Sequence, residues 1–299
     1  MLHFVILVIA MLFLPACVSQ KETVSTPAHP MPEYRAFGDP QRVTIRGYQG
    51  DAMEPFITKD GQYLLFNNRN DPRIDTKLHC AERINDLTFN YRGEISGINT
   101  SALEGVPSLD HLGNLYFIST RSYTETLSTL YRGRFDRGQV SGVQLVHGIS
   151  RRQRGIVTFD AEISADGNTL FLVDGRFTGG PAPETADIDI AVRDGAGFRR
   201  LSSGSELLKN VNTDALEYAP AVSSDLLDLF FTCLERSGRS PRTMILRAVC
   251  PNAETPFGPP ERLVSITGFI EAPTLSSDGR LLYYHQRDGE RFVILYVAR

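Results

Sequence analysis

Five carboxylates recur along this 299-residue chain in similar surroundings: Glu54, Glu104, Asp160, Glu217 and Glu271. An arginine follows each one: Arg69, Arg121, Arg176, Arg236 and Arg287. Carboxylates and guanidinium groups gathered on one surface bind polar ligands such as a sugar, a peptide terminus or a cation. Two carboxyls at a defined separation can also hydrolyse a glycosidic bond, one as acid, the other as base or nucleophile. Glu54, Asp160 and Glu271 are the trial set for that chemistry, although the three share no common register and no glycosidase motif surrounds them. The plainer role is structural, with acid and arginine paired to staple neighbouring units. Other chemistries lack their signatures: the chain has no GxSxG, no HExxH and no Walker loop. The six histidines are scattered. His285 alone ends an apolar run of interest, and a packed strand residue is the expectation there. No metal site and no cofactor are expected.

The elements that must position these groups repeat. Aligned on Pro55, Pro107, Ala161, Pro220 and Pro273, the chain shows five copies spaced by 52, 54, 59 and 53 residues. "EPFITKDGQYLLFNNR" and "EAPTLSSDGRLLYYHQRDG" are the first and last. In each, a short strand leads into a tight turn, Asp-Gly in three copies (Asp60-Gly61, Asp166-Gly167, Asp278-Gly279). Asp bonds its own backbone ahead, and Gly takes the positive φ. The second copy keeps only Gly113, and the fourth puts Leu226 at the glycine position, which implies a different turn. After the turn comes a nearly continuous apolar run, such as "YLLF", "TLFLV" or "LLYY". A continuous run implies a strand covered on both faces. A propeller blade provides that, because each blade packs between two others.

A third strand follows in every copy and a fourth in four of them. The last copy ends at Arg299 after three strands, while "QRVTIRGY" (41–48) stands unused before the first copy and matches "ERLVSITGF" (261–269). The expectation is therefore an all-β, five-bladed β-propeller of four-stranded antiparallel blades, its last blade closed by the N-terminal strand. In that topology the residues before each first strand and after each second strand meet on one face. Glu54, Asp160, Glu217, Glu271, Arg69, Arg121, Arg176 and Arg287 are then the candidate ligand-binding residues. The longest connection after a second strand, "DGRFTGGPAPETAD" (174–187), lies on the same face. A basic run, "SRRQRG" (150–155), reads as a solvated loop.

The pattern Pro-x-x-Ser-x-Asp-Gly, then an apolar strand, then Arg, resembles the TolB-type propeller repeat, also described as WD-repeat-like. The resemblance covers residues 41–299. It implies the fold and not one function, since the family includes periplasmic protein-binding propellers, domains attached to peptidases and a few carbohydrate-active lyases.

The ends set the location. "FVILVIAMLFL" (4–14) is too short to span a bilayer and reads as the core of a secretory signal peptide. "LPAC" follows and resembles a bacterial lipobox with Cys17 as the lipidated residue. No Lys or Arg precedes the apolar run, and Pro15 departs from the usual pattern. Val18 after the Cys points, by resemblance to sorted lipoproteins, to the outer membrane. Residues 1–17 are thus expected to be a signal peptide, 18–38 a flexible tether and 39–299 the propeller domain. A formal net charge of −4 gives no reason to expect nucleic acid. The expected partner is an envelope protein or a small polar ligand such as a glycan or peptide, bound without catalysis by a monomer that meets the membrane only through its lipid. The alternative is a glycoside hydrolase or lyase using central carboxylates. Cys233 and Cys250 fall near opposite ends of neighbouring strands and Cys80 in another copy, so no intrachain disulfide is expected.

Overall fold

The structure is a computed structural model and describes residues 31–70, 75–179, 182–236 and 241–299. The expected signal peptide, Cys17 and residues 18–30 lie outside the described residues. Three short strands come first: β1 (Glu33–Tyr34), β2 (Gln41–Arg42) and β3 (Thr44–Arg46). Antiparallel meanders follow. The first comprises β4 (Met53–Ile57), β5 (Tyr63–Asn67), β6 (Leu78–Asn85) and β7 (Thr88–Glu94), and the second β8 (Glu104–Leu109), β9 (Asn114–Ser119), β10 (Leu130–Asp136) and β11 (Gln139–Leu145). The third comprises β12 (Ile156–Ile163), β13 (Thr169–Arg176), β14 (Thr185–Asp194) and β15 (Gly197–Arg200), and the fourth β16 (Leu216–Val222), β17 (Asp228–Glu235), β18 (Arg242–Val249) and β19 (Glu261–Leu263). β20 (Ile270–Leu275), β21 (Leu281–Asp288) and β22 (Arg291–Ala298) end the chain. Two single-turn helices, α1 (Tyr123–Thr126) and α2 (Gly204–Leu207), sit in connections. Among the described residues no helix is long and apolar enough to cross a membrane.

The last meander takes its fourth strand from the N-terminal segment. Gln41 and Arg42 pair antiparallel with Tyr296 and Leu295, and the Val43 amide bonds Ile294 O at 2.9 Å. The stretch 41–48 does not stay there, as expected of one strand. Thr44–Arg46 crosses over and pairs in parallel with Thr88–Asn90 on the outer edge of the first meander. The segment therefore ties the last meander to the first. The stretch read as tether is also partly docked: Glu33 and Tyr34 pair with Arg262 and Leu263, and Phe37 is buried against Phe230.

All five turns between first and second strands close alike. Gly61, Gly113, Gly167 and Gly279 donate to the carbonyl three residues back at 2.7–3.1 Å, and so does Leu226, to Ser223 at 2.9 Å. The expectation of a different fourth turn is corrected: Leu226 itself adopts a φ of 64°, close to the 69° of Gly279. In four copies a hydroxyl from Thr58, Ser164, Ser223 or Ser276 bonds the turn Asp at 2.5–2.6 Å, and that Asp also accepts the amide of the residue after the turn. This is the work of the Ser-x-Asp pattern.

The apolar second strands are buried on both faces, with Leu64, Leu65, Phe117, Leu172, Phe230, Phe231, Leu282 and Tyr284 essentially without solvent exposure. Burial of that apolar area drives the packing. Each hydrophobic cluster joins successive meanders. Phe56 and Leu65 meet Phe117, Tyr116 meets Leu170, Phe171 meets Phe231, and Phe230 meets Leu282. A fifth cluster joins the last meander to the first through Tyr283, Tyr296, Leu64 and Phe89.

Candidate functional site

The first strands β4, β8, β12, β16 and β20 all carry a bulge near the aligned proline position, where pairing with the second strand slips. In four of them the residue before proline has a positive φ: Glu54, Val106, Ala219 and Ala272. All five strands converge at this level on one small space of about 20 Å³, lined among others by Glu54, Pro55, Val106, Pro107, Asp160, Ala161, Pro220 and Pro273. Glu54 and Asp160 occupy the same place in their copies, directly before the aligned residue. The carboxylates expected at the polar mouth therefore sit inside the strands, and all five are buried. The strands begin earlier than the apolar pattern suggests, which carries the acids inward.

Glu54, Asp160 and Glu271 form one buried group. Burial pushes the Glu54 carboxyl up to about 8; the charges of Asp160 and Glu271 add to this, and His285 opposes it. Burial also pushes Asp160 up to about 8, against the pull of the Ala161 and Ala219 amides. The Glu54 carboxyl makes no hydrogen bond or ion pair with another described residue, and its backbone N–H donates to Nδ1 of His285 at 3.2 Å. Glu271 accepts from the Tyr218 hydroxyl, and its Oε2 lies 3.2 Å from Nε2 of His285. Burial, then the charge of Glu271, raises the Tyr218 phenol well above its ordinary value, so it stays a donor. Neither Glu54, Asp160 nor Glu271 has an arginine partner among the described residues.

Beside this group lies a buried ion pair. Lys59 Nζ is 2.9 Å from Glu162 Oε1, and Ser108 Oγ donates to Glu162 Oε2 at 2.8 Å. Lys59 also stands 5.0 Å from the Phe56 ring. Among the described residues no group of three His, Cys, Asp or Glu side chains is arranged to hold a metal ion.

The other expected site residues separate from this centre. Glu104 and Glu217 are staples: each accepts the amide and hydroxyl of the threonine four residues earlier, Thr100 at 2.8 and 2.7 Å and Thr213 at 3.1 and 2.6 Å. Burial raises the Glu217 carboxyl, and the Thr213 bonds pull it back. Only one carboxylate pairs with the arginine of its own copy, Glu104 with Arg121 at 3.1 Å. Arg69 pairs instead with Asp51 at 2.9 Å. Arg236 bonds the Glu184 carbonyl at 3.3 Å, Arg287 bonds the Gly289 carbonyl at 3.0 Å, and Arg176 is exposed. The expected ring of acid–arginine pairs is thus one pair and scattered guanidinium groups. His285 is packed as expected, with no solvent exposure, yet it also bridges the first and last meanders. Sequence reasoning missed Lys59, Glu162, Ser108 and Tyr218. Their types carry no signal until the five strands are brought together. The three thiols, Cys80, Cys233 and Cys250, are free and buried.

No family model matches the chain, and no curated protein matches it. Solved structures do. A GH62 hydrolase in complex with xylotriose is similar over 90% of this chain and 98% of its own, at 6% identity and a TM-score of 0.56. A family 117 glycoside hydrolase from the marine bacterium Zobellia galactanivorans is similar over 88% and 90%, at 10% identity and a TM-score of 0.54. TolB from Acinetobacter baumannii matches 84% of this chain at 15% identity and a TM-score of 0.46, and the match spans 55% of its own length. At such identities the two hydrolase likenesses are likenesses of fold, shared by an all-β chain of repeated meanders.

Proposed function

We propose that the chain is a five-bladed β-propeller of the bacterial envelope, held to the outer membrane by a lipid on Cys17. It binds a protein or a small polar ligand on its loop-rich face without catalysis. The ring is supported by the five hydrophobic clusters, which run from each meander to the next and from the last back to the first. The first strands then surround the central channel, and the connections with α1 and α2 lie on the face where Arg176 and Arg287 are exposed.

One observation carries the non-catalytic reading. Glu54 and Asp160 face a space of about 20 Å³ walled by prolines. That is room for about one water, whereas ligand pockets run to roughly 300 Å³ or more. Ligand contacts then fall to exposed guanidinium groups at the mouth. The hydrolase reading keeps one specific support: two carboxyls held protonated near neutral pH, with no arginine partner, have the character of a general acid. Screening the protein against plant and algal glycans tests the choice. No turnover is expected, and robust turnover overturns it.

A further inference from the structure

The third strand of each meander has an outer edge that needs hydrogen-bond partners, and four of the five find them near the strand's start. In the first meander the Asn99 side-chain amide bonds both the N–H and the C=O of Leu78, at 2.8 and 2.9 Å. In the third, Asn212 does the same for Ile188, at 2.9 and 2.8 Å. In the second the Val146 amide reaches Leu130 O at 2.9 Å, and in the last Val43 and Ala52 reach Ile294 O and Phe292 O at 2.9 and 3.0 Å.

Among the described residues the fourth meander lacks this cover. β19 is three residues long and its register with β18 stops at Leu246 opposite Arg262. The Cys250 amide bonds Leu227 O on the inner side, and the Val249 carbonyl accepts from Gly258 on the outer side. Strand alternation therefore turns the amide and carbonyl of Thr243 outward. Among the described residues no strand and no side-chain amide pairs with them. Beside this edge lies a groove of about 230 Å³. Met244, Leu263 and Ile266 give it an apolar lining, Arg242 and Arg262 stand at its sides, and among the described residues no acidic one lines it. Arg242 is exposed and has no ion pair among the described residues; Arg262 is half-buried and has only Glu33 at 3.6 Å.

We infer that the outer edge of β18 around Thr243 receives an extended, acidic segment of a partner protein as an added strand. Main-chain bonds to Thr243 would supply affinity, apolar side chains would enter the groove, and carboxylates would meet the two guanidinium groups. The inference rests on the binding reading only for the existence of a partner. The edge lies away from the central cavity, so failure here leaves the channel reading standing.

The test uses the full chain and a labelled heptapeptide alternating valine and glutamate, beside one with lysine in place of glutamate. Fluorescence anisotropy should show the glutamate peptide binding at least roughly tenfold tighter than the lysine peptide. Arg242→Glu should lower that affinity by roughly tenfold or more while the circular dichroism spectrum is kept. Hydrogen exchange of the wild type should slow at Thr243 when the glutamate peptide is added. Equal binding of the two peptides, no binding up to millimolar peptide, or binding with unchanged exchange at Thr243 would overturn the inference.

Discussion

The backbone N–H of Glu54 donates to Nδ1 of His285 across 3.2 Å, joining the first strand of the first meander to the second strand of the last. Because Nδ1 accepts, the ring proton sits on Nε2, which faces Glu271 Oε2 at 3.2 Å. One imidazole thus satisfies a buried amide on one side and a buried carboxyl on the other. Replacing it should loosen the closure between the two ends of the chain. His285→Ala leaves the Glu54 amide unpaired and Glu271 with Tyr218 as its remaining partner, and opens a cavity, at a cost of about 3–5 kcal/mol. Urea denaturation measures this, and a loss below about 1 kcal/mol would mean that the joint is not structural.

The buried carboxyls make stability depend on pH. Glu54 and Asp160 are pushed up to about 8, chiefly by burial, against ordinary values of 4.5 and 3.8. Between those limits the folded chain holds protons that the unfolded chain has released. Their contribution is complete below the ordinary carboxylate range and is lost as pH rises toward 8. Unfolding free energy should therefore be lower at pH 8 than at pH 5, by about a few kcal/mol. Glu54→Gln, which cannot ionise, should flatten the slope. Stability that rises over this interval, or a slope unchanged in the variant, contradicts the assignment.

Lys59 and Glu162 are both buried and depend on each other at 2.9 Å. Lys59→Met strands the Glu162 charge and should cost about 3–5 kcal/mol. The double variant Lys59→Met with Glu162→Leu should recover most of that loss, since an apolar pair of similar volume needs no compensation. A thermodynamic cycle from chemical denaturation decides. Additive losses would show that the two side chains do not act as a pair.

Anchoring is tested separately. Cys17→Ser should move the protein from the membrane fraction to the soluble periplasm. An unchanged distribution on fractionation would show that Cys17 carries no lipid.

Much of the architecture was legible because it rests on local chemistry. The Ser-x-Asp-Gly turns, the apolar second strands and the partner for the unfinished last meander all leave periodic marks. The turn at Leu226 did not, because the hydrogen bond from its amide to Ser223 holds the same geometry without glycine. The crossing of Thr44–Arg46 to the first meander was equally hidden, since the pattern cannot say which of two nearby edges a short strand will choose. Of the candidate site, Glu54 and Asp160 were visible and do converge. Their burial was not, because it depends on bulges that carry the acids inward and on prolines that fill the space around them. Arg69 and Arg287 share a position in sequence with Arg121, yet only Arg121 reaches the acid of its own copy. Repetition fixes where a side chain begins and leaves its partner to the local loops.

On the proposed reading the central carboxylates are enclosed and do no chemistry. Initial rates on a glycan panel that includes arabinoxylan, for the wild type beside Glu54→Gln and Asp160→Asn, test it most directly. No rate above background is expected in any of the three. Turnover by the wild type that falls by roughly a hundredfold or more in both variants would contradict it.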